Sequence, residues 1–136
     1  MPKTIVVAGA SGLVGANIVR EALSRGYTVR GSMRDSADPA KAPYLMALPG
    51  AAERLTLFDA QMNDEGAFDE ACEGADGLFI ACLIPVYKGF DGTPARELDD
   101  ARGWAEVINP TVEGCLNILR SGEKAGIRDV VICSST

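Results

Sequence analysis

Gly9, Gly12 and Gly15 stand three residues apart in VVAGASGLVGANIVREALS, and Arg34 closes the later stretch YTVRGSMR. A turn without side chains can wrap a phosphate. Backbone N–H groups at a helix start, backed by the positive end of the helix dipole, hold anionic oxygens. In such a turn Gly9 permits the tight bend, Gly12 lets the backbone approach a pyrophosphate, and Gly15 lets helix and strand pack closely. At the end of the next strand an Asp or Glu would bond a ribose 2′-hydroxyl. This chain has Arg34 there, with Lys41 downstream. A guanidinium forks onto a 2′-phosphate and stacks on a planar base. The chemistry these residues suggest is therefore the binding of NADP(H) in preference to NAD. The alternative is that both are solvated surface cations, with Asp35 partly offsetting Arg34.

Such a loop works only between a buried strand and a helix, and the flanking sequence supplies both. TIVVAGA is a continuous apolar run ending in glycine, the pattern of a buried parallel strand. From Leu13 to Arg25, the spacing of Val14, Ile18 and Ala22, widened by Leu23, predicts a helix that Gly26 stops. YTVRGSM reads as a second strand, and DPAKAPYLMAL begins with a helix start whose second turn Pro43 leaves open. RLTLFDA is a third strand, DEGAFDEACEG a short helix closed by Gly74, and GLFIACL a fourth strand. Residues 84–95, rich in proline and glycine, read as an exposed loop. In the long helix that follows, Ile108, Val112, Cys115, Leu116 and Leu119 mark a stripe expected to cover the sheet. Glu106, Glu113 and Arg120 lie on its polar side, and DVVICSS is the fifth strand. This alternation predicts an α/β fold, a doubly wound parallel sheet with helices on both faces.

The 136 residues suffice for one domain with a hydrophobic core, and 47% hydrophobic with 24% charged residues is an ordinary globular composition. No apolar run approaches the roughly 20 residues of a membrane helix, and the start lacks a signal peptide's apolar region. The expected compartment is the cytosol. A net charge of −6 without a basic stripe argues against a nucleic-acid partner, though one bound phosphate needs only local cations. The chain has no histidine, and its four cysteines form no CxxC pair. Zinc motifs built on that spacing, and Ser-His or Cys-His catalysis, are thereby excluded, and no metal site is expected. The cysteines read as structural thiols.

GxxGxxG, VRGSMRD, LFDA, NPTVEGCLNIL and VVICSST, in that order, resemble the extended short-chain dehydrogenases/reductases, nearest the dihydroflavonol reductase and cinnamoyl-CoA reductase group. The resemblance covers essentially the whole chain and implies a Rossmann-like NAD(P)-binding domain over residues 1–136. It implies that Ser11 and Leu13 line the cofactor loop with Gly9, Gly12 and Gly15, and that Arg34 and Lys41 contact the 2′-phosphate. Asp59 matches the acid that bonds the adenine amino group, with Ala60 beside it; the alternative for Asp59 is a strand-end turn former. Ala81, Cys82 and Leu83 match the backbone beside the nicotinamide ribose. Asn109 falls where many relatives carry an active-site asparagine, although Pro110 makes a helix cap an equal reading. Ser135 matches the serine that polarises a substrate carbonyl, and its alternative is a polar strand terminus.

One element of the family pattern is missing. The family's proton donor is a tyrosine with a lysine four residues later, and none of Tyr27, Tyr44 and Tyr87 has that partner. A carbonyl reductase needs a general acid. The expectation is thus the N-terminal part of a longer NADPH-dependent enzyme acting on a small carbonyl or alcohol, with its substrate domain absent. The family also suggests a homodimer. The rival reading is a non-catalytic dinucleotide sensor on the same fold.

Overall fold

A computed structural model describes residues 2–82 and 88–134 of the chain. Its elements run β1 (Thr4–Ala8), α1 (Leu13–Ser24), β2 (Thr28–Met33), α2 (Ala42–Met46), α3 (Ala51–Arg54), β3 (Leu55–Asp59), α4 (Asp69–Cys72) and β4 (Gly77–Ile80). A 3-10 turn (Ala95–Glu97) then leads into α5 (Asp100–Gly103), a π turn (Trp104–Ile108), α6 (Asn109–Lys124) and β5 (Asp129–Ile132). The strands are parallel and lie in the order β3-β2-β1-β4-β5. The chain winds outward from β1 to β3, then returns to the other side of β1. Its direction therefore reverses between β1 and β4, the crevice where open parallel sheets bind ligands.

β1 is buried on both faces, which explains its unbroken apolar run. Ile5 and Val7 join Val19, Leu23, Val29 and Leu45 under α1, whereas Val6 and Ala8 join Phe68, Leu78, Ile80 and Ile118 under α6. Helix ends obey local chemistry. Gly26, with φ +83°, follows α1; its N–H donates to Leu23 O (3.0 Å) and that of Tyr27 to Ala22 O (3.0 Å), a Schellman closure.

The structure corrects several sequence expectations about the helices. Val14 is not part of the buried face of α1 and is 50% exposed; Gly15, Val19, Ala22 and Leu23 are the buried residues. Pro43 sits in the first turn of α2, where its missing N–H costs no helical bond, and the helix continues to Met46. Gly66, at φ +78°, keeps the segment before α4 in turns, so that helix is one turn long.

The largest correction concerns α6. Its sheet-facing residues are Gly114, Asn117, Ile118, Ser121 and Gly122. Ile108 and Val112, expected to cover the sheet, are 39% and 50% exposed. The reason is close approach. A Cβ on Gly114 would lie 2.8 Å from the Met62 side chain, and one on Gly122 would lie 3.1 Å from Leu78. Cys115 and Leu119 of the expected stripe do pack against the core beside Ile118, but small residues mark the closest approach, so counting bulky ones places the stripe too far toward Ile108 and Val112.

Polar contacts tie these layers together. Asn117 donates to Met62 O (3.0 Å), and Arg30 on β2 donates to Ala71 O (2.7 Å) and Glu73 O (2.6 Å) at the end of α4. Asp69 accepts from Ser121 and from Lys124 (3.0 Å), which hold its carboxyl below the usual range. Among the described residues no helix is long and apolar enough to cross a membrane.

Candidate functional site

The glycine loop leaves β1 at the point of reversal. Gly9 has φ +83°, and a Cβ there would also lie 2.7 Å from Cys82 Cβ. Its N–H donates to Ser32 Oγ (2.8 Å), while the N–H of Ala10 donates to Ser32 O (2.9 Å). Ser32 is buried in β2 and fixes the loop from the neighbouring strand. A Cβ on Gly15 would run into the Gly9 carbonyl oxygen.

Gly12 differs from both. Its backbone is extended, and a Cβ there would meet only Gly9 O, at an ordinary 3.6 Å. The fold therefore demands glycine at positions 9 and 15, while the space beside Gly12 is open. No side chain caps α1, which leaves its first-turn N–H groups available to an anion. Ser11 is half-buried and Leu13 exposed at this opening.

One strand away, the turn after β2 is held from β3. Asp59 accepts the N–H of Ser36, which lowers its pKa, and Ala60 N–H donates to Met33 O (3.0 Å). Arg34 projects from this turn, and Lys41 stands just before α2; both are exposed and neither forms an ion pair among the described residues. Asp35 forms no ion pair with Arg34; its Oδ1 accepts the N–H of Ala37 (2.9 Å) and closes the turn.

Beyond β4, Ala81 N–H donates to Ala8 O (2.9 Å), and Cys82 packs against Gly9. Burial, and secondarily Cys115, push the Cys82 thiol up to about 11, so it is a protonated packing group at neutral pH. Leu83 and Ser135 lie outside the described residues. The fifth strand does reach this edge, since Cys133 N–H donates to Ile80 O (3.0 Å). Asn109 is the first residue of α6, but the helical path already runs through the π turn and its side chain caps nothing. It makes no hydrogen bond to the glycine loop among the described residues, and its capping alternative is removed.

The carboxyl edge thus gathers Gly9, Ser11, Gly12, Leu13, Arg34, Asp59, Ala60, Ala81 and Cys82 around the point of reversal. Sequence reasoning missed Ser32, whose signal was a hydroxyl inside an otherwise apolar strand.

Residues 9–136 match the family model described as NAD(P)H-binding. The chain belongs to that family. This NAD(P)H-binding chain is 41% identical over 132 residues to a dihydroflavonol 4-reductase of Hordeum vulgare, covering 96% of the chain and 34% of that protein. It is 40% identical over 132 residues to the cinnamoyl-CoA reductase CAD2 of Medicago truncatula, covering 96% of the chain and 37% of the relative. The chain thus spans about a third of the length of the curated relatives it matches. Among solved structures, Gre2 of Candida albicans in complex with NADPH superimposes with a TM-score of 0.75 at 26% identity, over 98% of the chain and 37% of that protein. The resemblance to extended short-chain reductases read from the motifs holds across these comparisons.

Proposed function

We propose that this chain is the cofactor-binding part of an NADPH-dependent reductase that interconverts a carbonyl and an alcohol. The observation that carries the reading is a turn with open space beside Gly12, together with an exposed Arg34 that forms no ion pair among the described residues. The space a Cβ at position 12 would enter fits a pyrophosphate, which the uncapped start of α1 would hold with Ser11 and Leu13 at its rim. Arg34 and Lys41 would hold the 2′-phosphate, Asp59 and Ala60 the adenine end, and Ala81, Cys82 and Leu83 the nicotinamide ribose. When bound, the nicotinamide supplies or accepts the hydride. Ser135 would hold the substrate oxygen, with Asn109 on the active-site side. In this reading the proton comes from a tyrosine–lysine pair outside residues 1–136.

The cofactor preference is testable. Arg34→Ala should weaken NADPH binding by about 1.5–3 kcal/mol, the scale of a lost hydrogen bond to a charged group, and leave NADH nearly unchanged. Equal losses for both cofactors by calorimetry would return Arg34 to the surface.

The same reading includes a homodimer, supported by the exposed row Trp104, Ile108 and Val112 on one side of the π turn and α6. Sedimentation of the parent should show a dimer that the double variant Ile108→Asp, Val112→Lys converts to monomer. A parent that is monomeric at every concentration rules the dimer out.

A further inference from the structure

Arg34 is gripped from the end of β3 on both sides. Met33, the residue before it, pairs with Asp59 in the strand ladder, and its carbonyl accepts the N–H of Ala60 (3.0 Å). Two residues after Arg34, Ser36 gives its N–H to Asp59 Oδ1. The Ser36 amide, and then its hydroxyl, hold the Asp59 carboxyl below its ordinary range. Two neighbouring residues, Asp59 and Ala60, thus bracket the turn that carries Arg34.

Beyond Ser36 the chain is a run of turns closed by its own acids. Asp35 Oδ1 accepts the N–H of Ala37 (2.9 Å), and Asp38 Oδ1 accepts that of Ala40 (2.8 Å), the local bonding that makes aspartate a turn residue. Main-chain bonds join these turns. Asp38 N–H donates to Asp35 O (3.2 Å), and Lys41 N–H donates to Asp38 O (3.3 Å). Lys41 is thereby tied back, turn by turn, to the residue beside Arg34.

The charges of this segment pose a problem for a phosphate. Asp35, Asp38 and Asp59 outnumber Arg34 and Lys41, so net charge does not favour an anion. A preference for one must come from where the guanidinium is held, because its fork matches phosphate oxygens only in a fixed geometry. The bonding of the acids agrees with this. Each of the three carboxylates accepts a backbone N–H, and none forms an ion pair with Arg34 or Lys41 among the described residues. The acids order the backbone and leave the cations free.

We propose that Asp59 is a specificity-determining positioning residue, which holds the turn carrying Arg34 and so sets the preference for a cofactor 2′-phosphate. Without this brace the ligand itself must order the turn, and affinity falls by that ordering. The proposal rests on the NADPH reading above. It is separate from the adenine end assigned to Asp59 there, since NADPH and NADH share their adenine and any such contact cancels from their affinity ratio.

The test measures Kd for NADPH and for NADH, each by its own fluorescence, on the parent chain and its variants. A parent that does not bind NADPH overturns the reductase reading, and the brace with it. Asp59→Ala should lower the NADPH:NADH affinity ratio about five-fold, the size of one net hydrogen bond. Asp59→Asn keeps an acceptor for the Ser36 amide and should retain most of the ratio. Asp35→Ala loosens the same turn from within and should shift the ratio in the same direction as Asp59→Ala. In an Arg34→Ala background, Asp59→Ala should change the ratio far less, because a residue that acts through Arg34 has little left to position. Asp59 is exposed, so its truncation opens no core cavity, and a thermal melt checks that each variant folds. With NADPH still bound by the parent, equal losses for both cofactors in Asp59→Ala would overturn the brace alone. So would a loss of ratio undiminished in the absence of Arg34.

Discussion

Gly12→Val is expected to weaken NADPH binding by at least about 100-fold while the domain still folds. The two halves of that result have different causes. A valine at position 12 meets no protein atom closer than 3.6 Å through its Cβ, and the backbone there is not in the left-handed region, so the fold has no reason to object. The branched side chain instead enters the space where the pyrophosphate must reach the start of α1. Overfilling a packed space typically costs 1–3 kcal/mol, and lost hydrogen bonds to a charged group add roughly 1.5–3 kcal/mol more. Gly9→Ala is the contrasting control. It combines a φ of +83° with a collision against Cys82, so it should lower thermal stability before it reports on binding. Calorimetry and a thermal melt on both variants separate the causes. A Gly12→Val chain that binds dinucleotide as tightly as the parent would move the phosphate site elsewhere.

The second large effect concerns Ser135 and a longer protein that carries this chain. Ser135→Ala there should lower kcat by about 10²–10³, the range for removing one preorganised donor to a developing oxyanion. NADPH affinity should change little, because this serine is assigned to the substrate oxygen. Residues 1–136 alone should bind cofactor yet turn over no carbonyl, since no tyrosine among them has a lysine four residues on to act with it. Carbonyl reduction by residues 1–136 would reveal an unrecognised general acid. A longer protein indifferent to Ser135→Ala would make that residue an ordinary strand-end serine.

The parallel sheet and the glycine loop were legible because each rests on a local rule. A doubly buried strand must be apolar throughout, and a left-handed turn against a neighbouring strand must be glycine. The buried face of α6 was only partly legible, through Cys115 and Leu119. Gly114 and Gly122 carry no hydrophobic signal, yet they let the helix lie close to Met62 and Leu78, and this turns Ile108 and Val112 outward. Ser32 was missed for a related reason, since its hydroxyl gains meaning only once β2 lies beside the Gly9 amide. Arg102 pairs with both Asp91 in the loop and Glu106 in the π turn, and i, i+4 spacing alone reveals only the Arg102–Glu106 half.

The two-sided burial of β1 has a kinetic meaning. Its amides are sealed between two layers, so they exchange with solvent only when the whole sheet comes apart. The glycine loop is the direct continuation of that strand, and its stiffness is borrowed from the most protected segment of the chain. The segment 88–94 is tied down by the Arg102–Asp91 pair and by the Phe90 N–H bond to Glu106, contacts that a smaller, local event can break. Opening at the rim and opening at the root of the sheet are thus events of different size, the one local and the other global.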